Sequence, residues 1–186
     1  PFRVLAALAD RGPEEIRRGL IHLQGAEFLY ETRLFPDLEY TFKHALTHDV
    51  AYGSLLHERR RALHARIVEA IERLHADRLD EHIDKLAYHA LRGELWDKAV
   101  VFFRRAGTAA ATRIAYPDAV ASYEQALSMF RFLKAQPGEA MALNNMGAAY
   151  YQLGDYQKAL DLHLQLVLNQ RQERGVLRLH ALPVLD

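Results

Sequence analysis

Apolar positions along this 186-residue chain recur mostly at three- and four-residue steps, the signature of amphipathic helices. Two short helical patterns come first, Phe2 to Ala9 and Pro13 to Gln24. The second opens on Pro13-Glu-Glu, which suits a helix first turn and its dipole, and presents Ile16, Leu20, Ile21 and Leu23. The pattern then changes period. Glu27 to Arg33 and Leu38 to Phe42 flank Leu34-Phe-Pro-Asp, and Tyr40 and Phe42 alternate with polar residues, so a two-stranded hairpin is predicted with its turn at Pro36-Asp37. Two helices followed by a hairpin is the order of the later part of a winged helix.

Helical spacing returns from His44 to His75, carried by Ala45, Val50, Leu55, Leu56, Leu63, Ile67, Ala70, Ile71 and Leu74, with Gly53 as the place where it bends or splits. Asp80 to Arg92 continues with Ile83, Leu86, Ala87, Ala90 and Leu91 on one stripe and Gly93 as its end. A doubled pattern follows. Phe103-x2-Ala106-Gly107-x2-Ala110, then Tyr116-x2-Ala119-x3-Tyr123-x2-Ala126-Leu127, recurs as Leu143-x2-Met146-Gly147-x2-Tyr150, then Gly154-x-Tyr156-x2-Ala159-x3-His163. Gly107 precedes Ala119 by twelve residues, as Gly147 precedes Ala159, and the two units lie forty residues apart. Small Gly107, Ala119, Gly147 and Ala159 let antiparallel helices approach, while Phe103, Tyr123 and Tyr150 fill the space beside them. This predicts two tetratricopeptide-type helical hairpins, about 100–133 and 140–173. The forty-residue spacing exceeds the ~34-residue tetratricopeptide period, and the surplus is assigned to a linker around Lys134-Ala-Gln-Pro-Gly-Glu. Trp96 reads as structural, occupying before Ala99 the place Tyr116 holds before Ala119.

Composition narrows the class. With 50% apolar and 26% charged residues the chain has material for a packed core, which excludes disorder. Lys plus Arg balance Asp plus Glu at 24 each, so the bulk positive charge of a dedicated nucleic-acid or membrane-surface binder is absent. The longest strictly apolar run, Val4 to Ala9, is far short of the roughly 20 residues that span a bilayer. The absence of cysteine excludes disulfides, thiolate zinc sites and cysteine nucleophiles, and a cytoplasmic setting is expected. The chain opens at Pro1 and closes at Pro183-Val-Leu-Asp, as an internal piece of a longer protein would. Two repeats fall below the roughly three needed for independent stability, so apolar exposure is expected around Leu166 to Leu182.

The segment Tyr40-Thr-Phe-Lys-His-Ala-Leu-Thr-His-Asp-Val-Ala-Tyr-Gly-Ser-Leu-Leu, followed by Arg59-Arg-Arg-Ala-Leu-His-Ala-Arg-Ile, resembles the region after the ATPase core in bacterial STAND-type signal-transduction ATPases associated with class III adenylate or guanylate cyclases. The resemblance covers about Pro1 to Arg174. It implies a mainly α fold: a winged-helix-like part with one β-hairpin and a following helix (1–75), a helical connector (76–99), and two tetratricopeptide-type repeats with a truncated tail (100–186). It implies ATP or ADP and Mg for the parent protein only, since no Gly-x4-Gly-Lys-Ser/Thr loop is present and no cofactor is expected on this chain.

By the same resemblance, His44 sits where related winged helices place a histidine on nucleotide phosphates, and an imidazole there is a plausible sensor. The alternative is a histidine that merely caps or packs its helix. In the repeats, Arg104, Thr108 and Thr112 of the first unit and Asn144, Ala148, Tyr151 and Gln152 of the second are expected on the concave, protein-binding groove, unless the repeats only extend a longer superhelix. Partners are therefore its own ATPase domain and an unknown peptide or protein. The ten histidines lack a His-Glu-x2-His spacing and read as scattered surface or interfacial residues rather than metal ligands. Arg59, Arg60, Arg61 and Arg66 interleave with Glu58, Glu69 and Glu72, which predicts intrahelical ion pairs on a solvated face, with docking of an ATPase domain as the alternative. The wing carries Glu27, Glu31, Asp37 and Glu39 against Arg33, a net charge of minus three that disfavours DNA. None of the serines lies in a Gly-x-Ser-x-Gly elbow, and no catalytic residue is assigned.

Overall fold

The computed structural model describes residues 1–9, 11–33 and 37–180, the last nine of these by backbone alone. It divides into two compact units, Pro1–Leu95 and the remainder from Trp96. Among the described residues the architecture is mainly α, nine α-helices and one antiparallel hairpin.

The N-terminal unit begins with α1 (Phe2–Leu8) and α2 (Pro13–Gly25), the latter carrying Pro13 at its start and Glu14 and Glu15 in its first turn. Strands β1 (Leu29–Arg33) and β2 (Glu39–Phe42) pair with Leu29 opposite Phe42 and Tyr30 opposite Thr41, and the register shifts between Glu31 and Arg33. The predicted turn residues Leu34, Phe35 and Pro36 lie outside the described residues. The long pattern from His44 to His75 is split: α3 (Ala45–Gly53) ends at the glycine, and α4 (His57–Leu74) follows a short break. A 3₁₀ turn, Leu79–His82, leads into α5 (Ile83–Arg92). The core of this unit is α4 against α5 and α1, built on Val68, Ile71, Ile83, Leu86 and Ala90. Outside that core the packing is thin. Leu20 is the buried member of the stripe expected on α2, whereas Ile21 and Leu23 are exposed; Leu46, Val50 and Leu56 are exposed too.

Gly93 does not end α5 by supplying a left-handed residue, as its sequence position suggests. Its φ is −85°, and Glu94 takes the left-handed conformation at φ 55°. Gly93 is small because α4 runs close by: a Cβ there would lie 2.9 Å from the Ala65 backbone nitrogen. Close approach, not turn geometry, requires the glycine.

The second unit is a run of antiparallel helices, α6 (Trp96–Thr112), α7 (Tyr116–Phe132), α8 (Gln136–Gln152) and α9 (Tyr156–His180), each packed on the next. Every start lies twenty residues after the previous one. Ile114, Lys134 and Gly154 occupy the left-handed region at φ 63°, 54° and 79°, the position Glu94 holds after α5. In each turn the amide after the left-handed residue donates back to the carbonyl five residues earlier, as Ala115 does to Ala110, Ala135 to Phe130 and Asp155 to Tyr150. This satisfies carbonyls that a helix end would leave unpaired.

The six residues beyond the expected period therefore do not form a linker at Lys134–Glu139. The connection there is three residues long, and Gln136-Pro137-Gly138 is the first turn of α8. Proline lacks the amide that a first turn leaves unpaired anyway, so it starts this helix as Pro117 starts α7. The surplus is spent on longer helices. Ala99, Ala106, Ala119, Ala126, Ala142 and Ala149 are buried and let the helices approach, and Leu143 is fully enclosed. Tyr123 lies over Gly107, His163 over Gly147 and Phe130 over Gly138, each ring in the space a Cβ would fill.

The apolar exposure expected at 166–182 begins earlier, with Leu160 and Leu164 exposed on α9 and Val167 and Leu168 following, while Leu166 is half-buried. Side chains from residue 172 on lie outside the described residues.

Candidate functional site

Helices α6 and α8 are the first members of the two hairpins, and their predicted groove residues fall into two groups. Arg104 is half-buried, and its Nη1 lies 3.7 Å from the Met141 sulfur, so α6 and α8 meet on this face. Thr112 Oγ1 donates to the Thr108 carbonyl at 2.9 Å, and Thr108 Oγ1 donates to that of Arg104 at 3.1 Å. Thr108 also lies 3.2 Å from the Tyr123 hydroxyl. Both threonine hydroxyls thus bond within the fold, and the chemistry this stripe presents is the Arg104 guanidinium beside exposed Val101 and Met141. Asn144, Ala148, Tyr151 and Gln152 are exposed on α8. Ala148, Tyr151 and Gln152 border an open cleft of about 520 Å³ shared with Tyr156, Leu160 and His163 of α9, where the Tyr151 and Tyr156 rings meet edge to face at 5.2 Å. His163 is fixed there by its Nδ1–H, which donates to the Ala159 carbonyl at 2.7 Å. The two groups together present polar to amphipathic side chains.

His44 is exposed at the N-cap of α3, where its carbonyl accepts from Thr47 and His48 while its side chain makes no capping bond. The basic run on α4 reaches beyond its own helix. Arg61 pairs with Glu94 at 3.0 Å, Arg60 stacks over Tyr52, and Arg66 donates to the Leu8 carbonyl at 2.6 Å. Intrahelical partners are thus not the whole account, because α4 is a central helix and its arginine stems lie against neighbours. Around the β1–β2 hairpin, Lys43 pairs with Glu27 at 3.1 Å and Lys85 approaches Glu39 at 3.8 Å.

A histidine cluster escaped sequence reasoning. His64 of α4 is 6% exposed; its Nδ1 lies 2.7 Å from Nδ1 of His89 on α5, and its Nε2 lies 3.0 Å from the Tyr52 hydroxyl of α3. One proton bridges the two imidazoles, so one ring donates and the other accepts. Burial lowers the pKa of His64, with Arg92 adding to it. Burial, the neighbouring His64 and Lys85 bring His89 down to about 4. The second pair, His75 and His82, has ring centroids 4.1 Å apart. His75 is buried with no partner at Nδ1, and burial and nearby His75 and Lys85 lower His82. The available sequence signal was the placement of His64 and His89 on the apolar faces of their helices, but nothing in it paired residues 25 positions apart. Among the described residues no group of three or more His, Cys, Asp or Glu converges as metal ligands would.

Comparison with known proteins agrees with the helical hairpins. Residues 115–167, from the turn before α7 into α9, match the tetratricopeptide repeat family. This region of the chain is a tetratricopeptide repeat region, a class whose stacked hairpins bind other proteins. The chain is 29% identical over 124 residues, 67% of its length, to an uncharacterized protein of Rhizobium meliloti (strain 1021), and this covers 12% of that protein. The chain therefore spans a small part of the relative it matches. No solved structure matches significantly. No helix among the described residues is long and apolar enough to cross a membrane.

Proposed function

We propose that this chain is a non-catalytic regulatory piece of a larger signal-transduction ATPase or adenylate cyclase. Its repeats hold a segment of a partner protein along α6 and α8, and its N-terminal unit couples the nucleotide state of an adjoining ATPase domain to them. ATP or ADP and Mg are bound by that domain and not by this chain. The observation that carries the protein-binding reading is the face shared by α6 and α8, with Arg104 beside Met141 and with exposed Asn144 and Tyr151. Support for the docking role of the N-terminal unit comes from exposed Leu46, Val50 and Leu56 around α3, next to a His44 side chain that its own helix does not use. The net negative wing weighs against DNA as the partner.

Panning a random peptide library on the chain tests the repeat face. Selected peptides are expected to lose binding with Arg104→Glu or Tyr151→Ala and to keep it with Ser128→Ala on α7; peptides indifferent to the first two changes overturn the reading. The coupling is tested in the full reading frame, where His44→Ala is expected to change nucleotide affinity or its transmission to the repeats. Identical affinity and output in that variant leave a pure scaffold.

A further inference from the structure

A cavity of about 230 Å³ lies inside the N-terminal unit, between α1, α4 and α5, with Tyr40 of β2 at its margin. Its two sides differ in chemistry. Val4 and Leu8 of α1 and Ile67 and Ile71 of α4 form an aliphatic wall, whereas α5 and its N-cap line the other side with His82, Lys85 and His89 in succession along the helix, and His75 lies beside His82. A mostly apolar pocket with a few convergent polar groups is the ordinary form of a small-molecule site.

The polar side is matched to an anion. Lys85 brings an ammonium, the imidazoles and the Tyr40 hydroxyl bring donors, and no carboxylate among the described residues lines the cavity; Glu39 lies outside it, 3.8 Å from Lys85. Burial above all, and after it neighbouring charge that includes Lys85, lowers the pKa of both His82 and His89, and Glu81 offsets part of this at His82. Burial would disfavour an anion too; the Lys85 charge is the part that favours one. The buried His75, with Nδ1 unpartnered, shows that the fold does not satisfy the polar side by itself. Size restricts the body of the ligand. An apolar cavity of about 150 Å³ accommodates benzene, so this one has room for a ring or short alkyl chain and one head group.

We propose that this cavity binds a small amphipathic carboxylate, with its apolar body against Val4, Leu8, Ile67 and Ile71 and its carboxylate facing Lys85, between His82 and His89. The occupant ties α1 to α4 and α5, and so stabilises the central packing of the unit.

Phenylacetate and phenylethylamine share an apolar body and differ in the sign of the head group. Each is titrated into the full chain and followed by amide and histidine ring resonances. Phenylacetate is expected to saturate, shifting the His82 and His89 rings and the amides near Ile71, while phenylethylamine binds at least about tenfold more weakly, as loss of a charge-assisted contact implies. Lys85→Gln is expected to weaken phenylacetate by about tenfold or more. Ile67→Trp, which fills the cavity, should abolish the shifts, and Leu8→Phe serves if that variant does not fold. Equal binding of acid and amine, saturation unchanged by Lys85→Gln, or no saturable shift overturns the proposal.

Discussion

The two units reach stability by different means. From Trp96 onward the helices are held by shape: small residues where helices approach, a ring over each of Gly107, Gly138 and Gly147, and one turn geometry repeated every twenty residues. The N-terminal unit has a smaller aliphatic core, which is stitched to α3 by polar rings, Tyr52 to His64 to His89, and leaves much of its apolar surface uncovered. A repeated shape is intolerant of added volume. A bridged imidazole pair tolerates shape less critically but responds to protons.

The largest effects should come from the two enclosed leucines. Leu86→Ala in the first unit and Leu143→Ala in the second each remove a side chain with no exposed surface, and each is expected to cost about 3 kcal/mol in urea unfolding. Comparable losses would show that both units rest on a true aliphatic core; a much smaller loss for Leu86→Ala would mean that the polar rings dominate there. Gly138→Val tests shape alone. A Cβ there would lie 2.0 Å from the Phe130 ring, so the ring must leave its place, at about 2 to 3 kcal/mol.

Acid separates the units in the opposite sense. His89 is depressed to about 4 from its ordinary 6.5, so between these values the unfolded chain binds more protons than the folded one. The stabilising contribution is full above pH ~6.5 and is lost as the pH falls toward ~4. Lys85, Tyr88 and Arg92 of α5, His64 of α4 and Tyr52 of α3 surround the pair, and none is an acid that would shelter an imidazolium. Amide exchange in α4 and α5 is expected to reveal a loss on the order of 2 kcal/mol from pH 7 to 4, reduced in His89→Gln. An equal loss in that variant would place the acid sensitivity elsewhere.

The smallest effect is a gain. Ile114 is exposed, β-branched and held at φ 63°, a conformation that suits glycine. Ile114→Gly should stabilise the second unit by about 1 kcal/mol, read as a raised urea midpoint. No gain would mean that the isoleucine makes contacts worth the strain.

Much of this architecture was legible in the chain. The hairpin followed from alternation at Tyr40 and Phe42, and the helical hairpins from the twelve-residue spacing of Gly107 to Ala119 and Gly147 to Ala159. The linker reading at Lys134–Glu139 failed because Pro137-Gly138 signals a break by composition, although proline is equally at home in a first turn. Glycine does not mark these turns: Glu94, Ile114 and Lys134 hold the left-handed positions, so Gly93 located the end of α5 without supplying its turn. The groove residues were legible as a stripe, but not the turning of Thr108 toward Tyr123, which depends on where α7 lies.

Sequence by itself determined the helical period, the repeat and its register, because these rest on interactions between residues a few positions apart. The tertiary structure alone decided which histidines meet and where a cavity remains. Those features arise where α4 packs on α5 and α1, and a contact between helices has no period along the chain to announce it.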